Sequence, residues 1–224
     1  MAETALNAEF DRTVVMRTAE MDWQASPSPS VWRKRLDLIG PKEAGRVTSV
    51  VRYDADSAFP SHPHPDGEEI FVLDGVFSDE HGDYPAGTYL LNPEGFSHAP
   101  FSRQGCVLFV KLRQYPGLNR RQVTVDTRGA DWRRGPAGGV DEYPLYAEAG
   151  YPETVRLWRF APGASVPADE YAGGLELFVP DGALEDGEAA YPAGTWARFP
   201  AGGRIALRST EGATAYVKIG HLAG

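Results

Sequence analysis

Apolar residues along this chain fall in short runs: RVTSVVRY at 46–53, EIFVLDGVF at 69–77, TYLLN at 88–92, CVLFVKL at 106–112, TVRLWRF at 154–160, LELFV at 175–179 and AYVKI at 215–219. The runs are rich in β-branched and aromatic residues and are bounded by Gly, Pro, Asn and Asp, the pattern of strands joined by turns. A sustained helical period is missing. The nearest candidate, FDRTVVMRTAEMDW at 10–23, spreads its apolar residues around the whole helix and offers no cap. The 25 Gly and 18 Pro act as punctuation between the runs. The expectation is an all-β chain of low helix content, built as a sandwich or barrel.

A repeat refines this picture. FVLDG at 71–75 recurs as FVPDG at 178–182, and YPAGT at 84–88 recurs at 191–195, both 107 residues on. The same shift pairs Pro93 with Pro200, Gly95 with Gly202, and CVLFVKL with ATAYVKI, without a gap. From Glu68 to His98 it gives 13 identities in 31 pairs, where average residue usage would give roughly two. Upstream the echo is weaker: MDWQ at 21–24 resembles ADWR at 130–133, at a slightly different offset. The chain is a duplication dividing near residue 120, with domains expected at 1–120 and 121–224. Each half holds enough strands for a small barrel. The polar, Gly-rich 115–140 reads as a connection, and SPSPS at 26–30 as a surface loop.

Composition narrows the partners. With 224 residues and a net charge of −9, the chain has a sizeable core but no concentrated basic face for nucleic acid, and RRQ at 120–122 is too short to supply one. No apolar run approaches the ~20 residues that span a bilayer, so no membrane partner is expected. The leading MAETALNAEFDRTVV has no basic-then-apolar signal pattern. One cysteine, Cys106, excludes an internal disulfide and any CxxC motif, which points to a reducing, cytoplasmic setting.

Candidate chemistry concentrates in SHPHPDGEEIFVLDG at 61–75. Alternate residues of a strand face the same way, so His62 and His64 share one face and Pro63 and Pro65 the other. Glu68 keeps the same parity if the chain re-enters a strand after Pro65-Asp66-Gly67. Two neutral imidazoles and a carboxylate suit zinc, iron, manganese or nickel, given a further ligand. PAGTYLLNPEGFSHAPF at 85–101 supplies a candidate in His98. The spacings His62-x-His64-x3-Glu68-x6-Gly75 and Gly87-x5-Pro93-x-Gly95-x2-His98 match the two cupin motifs, G-x5-H-x-H-x(3,4)-E-x6-G and G-x5-P-x-G-x2-H-x3-N. Three departures are visible. Asp56 stands for the first glycine, Ser102 for the final asparagine, and Glu69 competes with Glu68 but has outward parity.

The chain thus resembles the cupins, and among them the ChrR-like type, on EEIFVLDGVFSDEHGDYPAGTYLLNPEGFSHAPF and the upstream VWRKRLDLIGP. The resemblance implies two tandem cupin barrels, double-stranded β-helices of jelly-roll type. It also implies one divalent metal on His62, His64, Glu68 and His98, with zinc the ion of the regulator that names the type. At the 107-residue shift these four become Asp169, Tyr171, Leu175 and Ile205, so every ligand type is gone. Gly163, Gly182, Gly194, Pro200 and Gly202 keep the turns, and the second barrel is therefore expected to be a metal-free framework.

Outside the motifs, His81 reads as a solvated hairpin turn, His221 as part of a frayed terminus, Cys106 as a small buried hydrophobe, and the five tryptophans as packing. Two functions remain from different classes. One is a redox-responsive regulator or small-ligand-binding protein of the anti-sigma, oxidative-stress kind. The other is a non-haem metal-dependent dioxygenase acting on a small diketone or phenol. Residues 1–55 contain neither His nor Cys, which argues against a zinc module that would hold a sigma factor. A fused pair of barrels is self-sufficient as a monomer, and exposed edges could still pair two chains as a homodimer.

Overall fold

The alternating runs pair into two ten-stranded sheets that share one strand order, in a computed structural model that describes residues 5–222. In the first, the order is Val123–Asp126, Thr88–Asn92, Glu68–Asp79, Cys106–Leu112, Arg46–Tyr53, Val31–Ile39, Gln24–Ala25. In the second it is Val14–Arg17, Thr195–Phe199, Leu175–Glu185, Ala213–Ile219, Thr154–Phe160, Val140–Ala147, Arg133–Arg134. Apart from a three-residue 3-10 turn at Thr18–Glu20, no helix occurs among the described residues. None is therefore long and apolar enough to cross a membrane. The fold is all-β, two tandem cupin barrels.

The described residues divide into two compact units, Met21–Gly129 with residues 5–8, and Glu9–Glu20 with residues 130–222. The two segments that depart from a simple division near residue 120 are each a leading strand. Val14–Arg17 pairs with Thr195–Phe199, Val14 opposite Arg198. Val123–Asp126 pairs with Thr88–Asn92, Val123 opposite Leu91. Thr18 Oγ1 donates to Gly194 O and Thr127 Oγ1 to Gly87 O, so the two pairings end alike. Each half of the sequence thus lends its first strand to the sheet of the other half.

Glycine fixes the shared turns. Gly75 and Gly182 sit at φ of 71° and 76°, and a Cβ on either would lie 2.1 or 2.2 Å from the carbonyl oxygen of the glycine just before the facing strand, Gly105 or Gly212. That close approach explains why FVxDG survives in both halves. Asp56, which stands where the motif has glycine, adopts φ of 59°, a conformation that Asp tolerates better than most residues.

The first core gathers Val31, Val51, Tyr53, Ile70, Phe77 and Leu108. The second is larger and includes Trp158, Phe160, Leu177, Val179, Phe199 and Val217. The opposing layers also differ. In the second unit Ser165–Tyr171 pairs with Gly203–Arg208 as long strands. In the first, two-residue pieces replace them: Ser57–Ala58 with Phe101–Ser102, and His62–Pro63 with Ser97–His98. Pro60, Pro63 and Pro65 lack an N–H to donate, which breaks the ladder where the histidines lie.

Candidate metal centre

His62 and His98 are register partners in the short pair, and His64 follows His62 with its N–H on the carbonyl of Phe96. The period of two brings the imidazoles of His62 and His64 together, 4.8 Å between ring centroids. Glu68 opens the strand Glu68–Asp79 opposite Asn92. The four residues meet at one place. The three histidines offer nitrogens that all lie within 4.8 Å of one another. His64 Nε2 and His98 Nε2 are 2.9 Å apart, and Glu68 Oε2 is 3.5 Å from each.

The electrostatics suit a cation. Burial, followed by the charges of His62 and Arg113, holds the His64 imidazole down to about 4, so it is neutral and one of its ring nitrogens carries a lone pair. Burial pushes the Glu68 carboxyl up, against the pull of His98 and the hydrogen bond from Asn92 Nδ2 at 3.1 Å. A carboxylate in such a place is costly unless a positive partner sits beside it. Three imidazoles and one carboxyl group converging on a point are a donor set for a divalent ion.

Ring orientation is fixed from behind. His62 Nδ1 is 2.9 Å from the carbonyl of Pro60, and His98 Nδ1 is 3.0 Å from Asp79 Oδ2. These acceptors set the tautomer in which Nε2 faces the site. Asp79 is itself held. Its Oδ1 accepts from His81 N, Gly82 N and the Tyr84 hydroxyl, at 2.8, 3.2 and 3.1 Å.

Asp79 and Asn92 were not singled out in the sequence. Asp79 lay among the acids of SDEHGD, a surface-turn pattern, although Asp79 and Tyr84 recur as Asp186 and Tyr191 at the 107-residue shift. That recurrence was the available signal. Asn92 ends TYLLN, opposite Glu68, and only the register reveals it.

Other residues fall into place. His81 is exposed in its turn, with Phe96 5.5 Å away. Glu69 lies on the face opposite Glu68, yet it is buried and accepts from the Tyr89 hydroxyl at 2.8 Å. His221 corrects the expectation of a frayed end: its side chain is buried and its Nε2 lies 2.8 Å from Glu176 Oε2. Ser102, in place of the motif asparagine, donates to the Val76 carbonyl at 2.6 Å and so serves the backbone. Cys106 is buried, and desolvation pushes its thiol up to about 11.

In the second unit the corresponding positions carry no donor set. Leu175 and Ile205 belong to the apolar core, and Asp169 is exposed. The framework is common to both halves and the ligands are not.

The family model for the ChrR cupin-like domain matches the chain twice, over residues 11–116 and 120–223. This chain belongs to the ChrR cupin-like family. Solved structures share its fold at low identity. A candidate dioxygenase from Nostoc punctiforme PCC 73102 is 14% identical with a TM-score of 0.77, over 93% of this chain and 82% of that one. The pirin YhhW from Escherichia coli, solved with nickel(II), is 12% identical with a TM-score of 0.71, over 93% and 98%. A deletion mutant of the oxalate decarboxylase OxdC from Bacillus subtilis is 12% identical with a TM-score of 0.63, over 92% and 76%. No curated protein sequence matches the chain.

Proposed function

We propose that the first barrel of this ChrR cupin-like protein holds one divalent metal ion on His62, His64, His98 and Glu68, and presents it to a small ligand in a sensing or regulatory role. The observation that carries this reading is the convergence of two buried imidazole Nε2 atoms and a buried carboxylate within 3.5 Å, with the third imidazole beside them. Zinc is the ion proposed, and the role is redox-responsive. The buried, high-pKa thiol of Cys106 is a poor nucleophile and zinc has no redox chemistry of its own, so the response would come from binding an oxidised small molecule at the metal and not from oxidation of that cysteine or of the ion. Metal content of protein purified without added metal tests the reading. One equivalent is expected in the wild type, with a severe loss of affinity in His64→Ala and none in Tyr171→Ala. Equal metal content in the first variant would overturn it.

A second reading is favoured by the cavity that reaches the histidines. A metal with open positions supplies Lewis acidity and, as iron, dioxygen activation. Apolar walls at Phe59, Ile70 and Leu112 would exclude water from a small diketone or phenol. Oxygen uptake by the Fe(II)-loaded protein with such substrates separates the two: uptake makes it a dioxygenase, and its absence in metal-replete protein leaves the ligand-binding role.

A further inference from the structure

We propose that the cavity facing the metal centre of the first barrel binds a compact monoanion, an oxygen-anion head on a short branched apolar body, in a site defined by Val51, Tyr53 and Arg33. The proposal rests on the metal reading above. The inner cavity, about 90 Å³, is walled by Val51, Tyr53, Phe59 and Ile70 among others and reaches His62, His64 and Glu68. It shares Arg33, Phe59 and both histidines with an outer cleft of about 350 Å³ that Lys42 and Arg113 also line.

The duplication supplies an internal comparison. Val51 stands opposite Leu108 and Arg33 in its sheet, as Trp158 stands opposite Ala215 and Glu142. The residue that borders the cavity in the first barrel is therefore an indole in the second, where Trp158 is packed into the core. Its N–H has no acceptor among the described residues, so what the indole contributes there is volume. Tyr53 corresponds in the same way to Phe160, and Arg33 to Glu142, which is bound by Arg133 and Arg156. Space, phenol and cation disappear together with the metal ligands. A barrel kept only as framework has no use for any of them.

Charge selects the ligand. Of the groups that would touch the ion only Glu68 is anionic, the Asp79 carboxylate lying behind His98, so the face of the ion turned to the cavity is the positive one and favours an anionic head over a neutral ligand. Arg33 meets Glu43 through Nη1 at 2.6 Å, so its guanidinium keeps further donors for the cleft. Burial keeps the Tyr53 phenol protonated and able to donate. The limited inner volume and the Val51, Phe59 and Ile70 walls call for a short branched body.

Cobalt(II)-loaded protein tests this, with isobutyrate and its neutral isostere isobutyramide as probes and with cobalt content measured alongside the visible spectrum. Isobutyrate is expected to change the spectrum saturably, and isobutyramide to bind at least about tenfold more weakly. Val51→Trp, which installs the residue of the second barrel, should lose the isobutyrate response while keeping its cobalt. Arg33→Gln should weaken isobutyrate by about tenfold and leave isobutyramide unchanged. Should the tryptophan variant not fold, Val51→Ala serves instead: the enlarged cavity should shift the preference toward the bulkier pivalate. Stoichiometric cobalt with no isobutyrate response, an equal response to the amide, or an unaltered Val51 variant would each overturn the ligand assignment and leave the metal site standing. Failure of the wild type to take up cobalt would overturn the metal reading itself.

Discussion

Asp79 shows how much of the site depends on a side chain that would touch no metal. Its Oδ1 closes the turn through His81 N and Gly82 N, a task that Asp186 performs identically through Glu188 N and Ala189 N. Its Oδ2, in contrast, holds His98 Nδ1, and the second barrel has Ile205 where His98 would be. Asn at either position keeps an oxygen for the turn but removes the anion. Asp79→Asn should therefore fold and lose about 10- to 100-fold in metal affinity. Asp186→Asn should leave metal binding untouched, and competitive chelation on both variants checks the pair. A loss of equal size in the two would mean that Asp79 serves only its turn. The four candidate ligands were legible in the sequence because strand parity and motif spacing depend on local order. Asp79 and Asn92 were not, because their partners lie 19 and 24 residues away across strands whose register the sequence does not state.

Among the elements, the runs of β-branched and aromatic residues and their Gly-bounded turns were legible for physical reasons: a period of two, and positive φ at Gly75 and Gly182. The partner of each leading strand was not. VVMR at 14–17 and VTVD at 123–126 carry short apolar patterns that fit either sheet, and only packing decides. Val15 packs against the core of the second unit, opposite Ala197. An aspartate there places a charge against apolar neighbours, at a cost of about 1–3 kcal/mol. Val15→Asp should accordingly raise hydrogen exchange in Thr195–Phe199 while Thr88–Asn92 and the metal content stay as they were. Enhanced exchange in Thr88–Asn92 instead would contradict the pairing. Gly75→Ala should cost about 1–3 kcal/mol or more, because its Cβ would drive against Gly105 O and the residue would be held at φ of 71°. Urea melts would show this as a lower midpoint.

For the whole molecule, the duplication separates a barrel with a donor set from one with a filled core, and acid should act on them unequally. The His64 imidazole is held at about 4 in the folded chain against an ordinary value near 6.5. The unfolded chain therefore binds the extra proton between these values, and the sign follows: this residue's contribution is complete above about pH 6.5 and is lost as pH falls toward 4. Metal binding has a related signature. His64 has no proton to shed above about pH 5, so fewer than three protons should leave per ion bound, a shallower dependence than three free imidazoles would give. Calorimetric titration in buffers of different ionisation enthalpy measures that number. Since an ion held only by the folded barrel stabilises it by mass action, a chelator at about pH 7.5 should raise exchange in Glu68–Asp79 and Cys106–Leu112 more than in Leu175–Glu185 and Ala213–Ile219. The difference should narrow as pH falls toward 4, where a proton competes with the ion for His64. Exchange indifferent to chelator at both pH values would mean that His62, His64, Glu68 and His98 hold no ion, and would leave the buried Glu68 carboxyl to be explained without one.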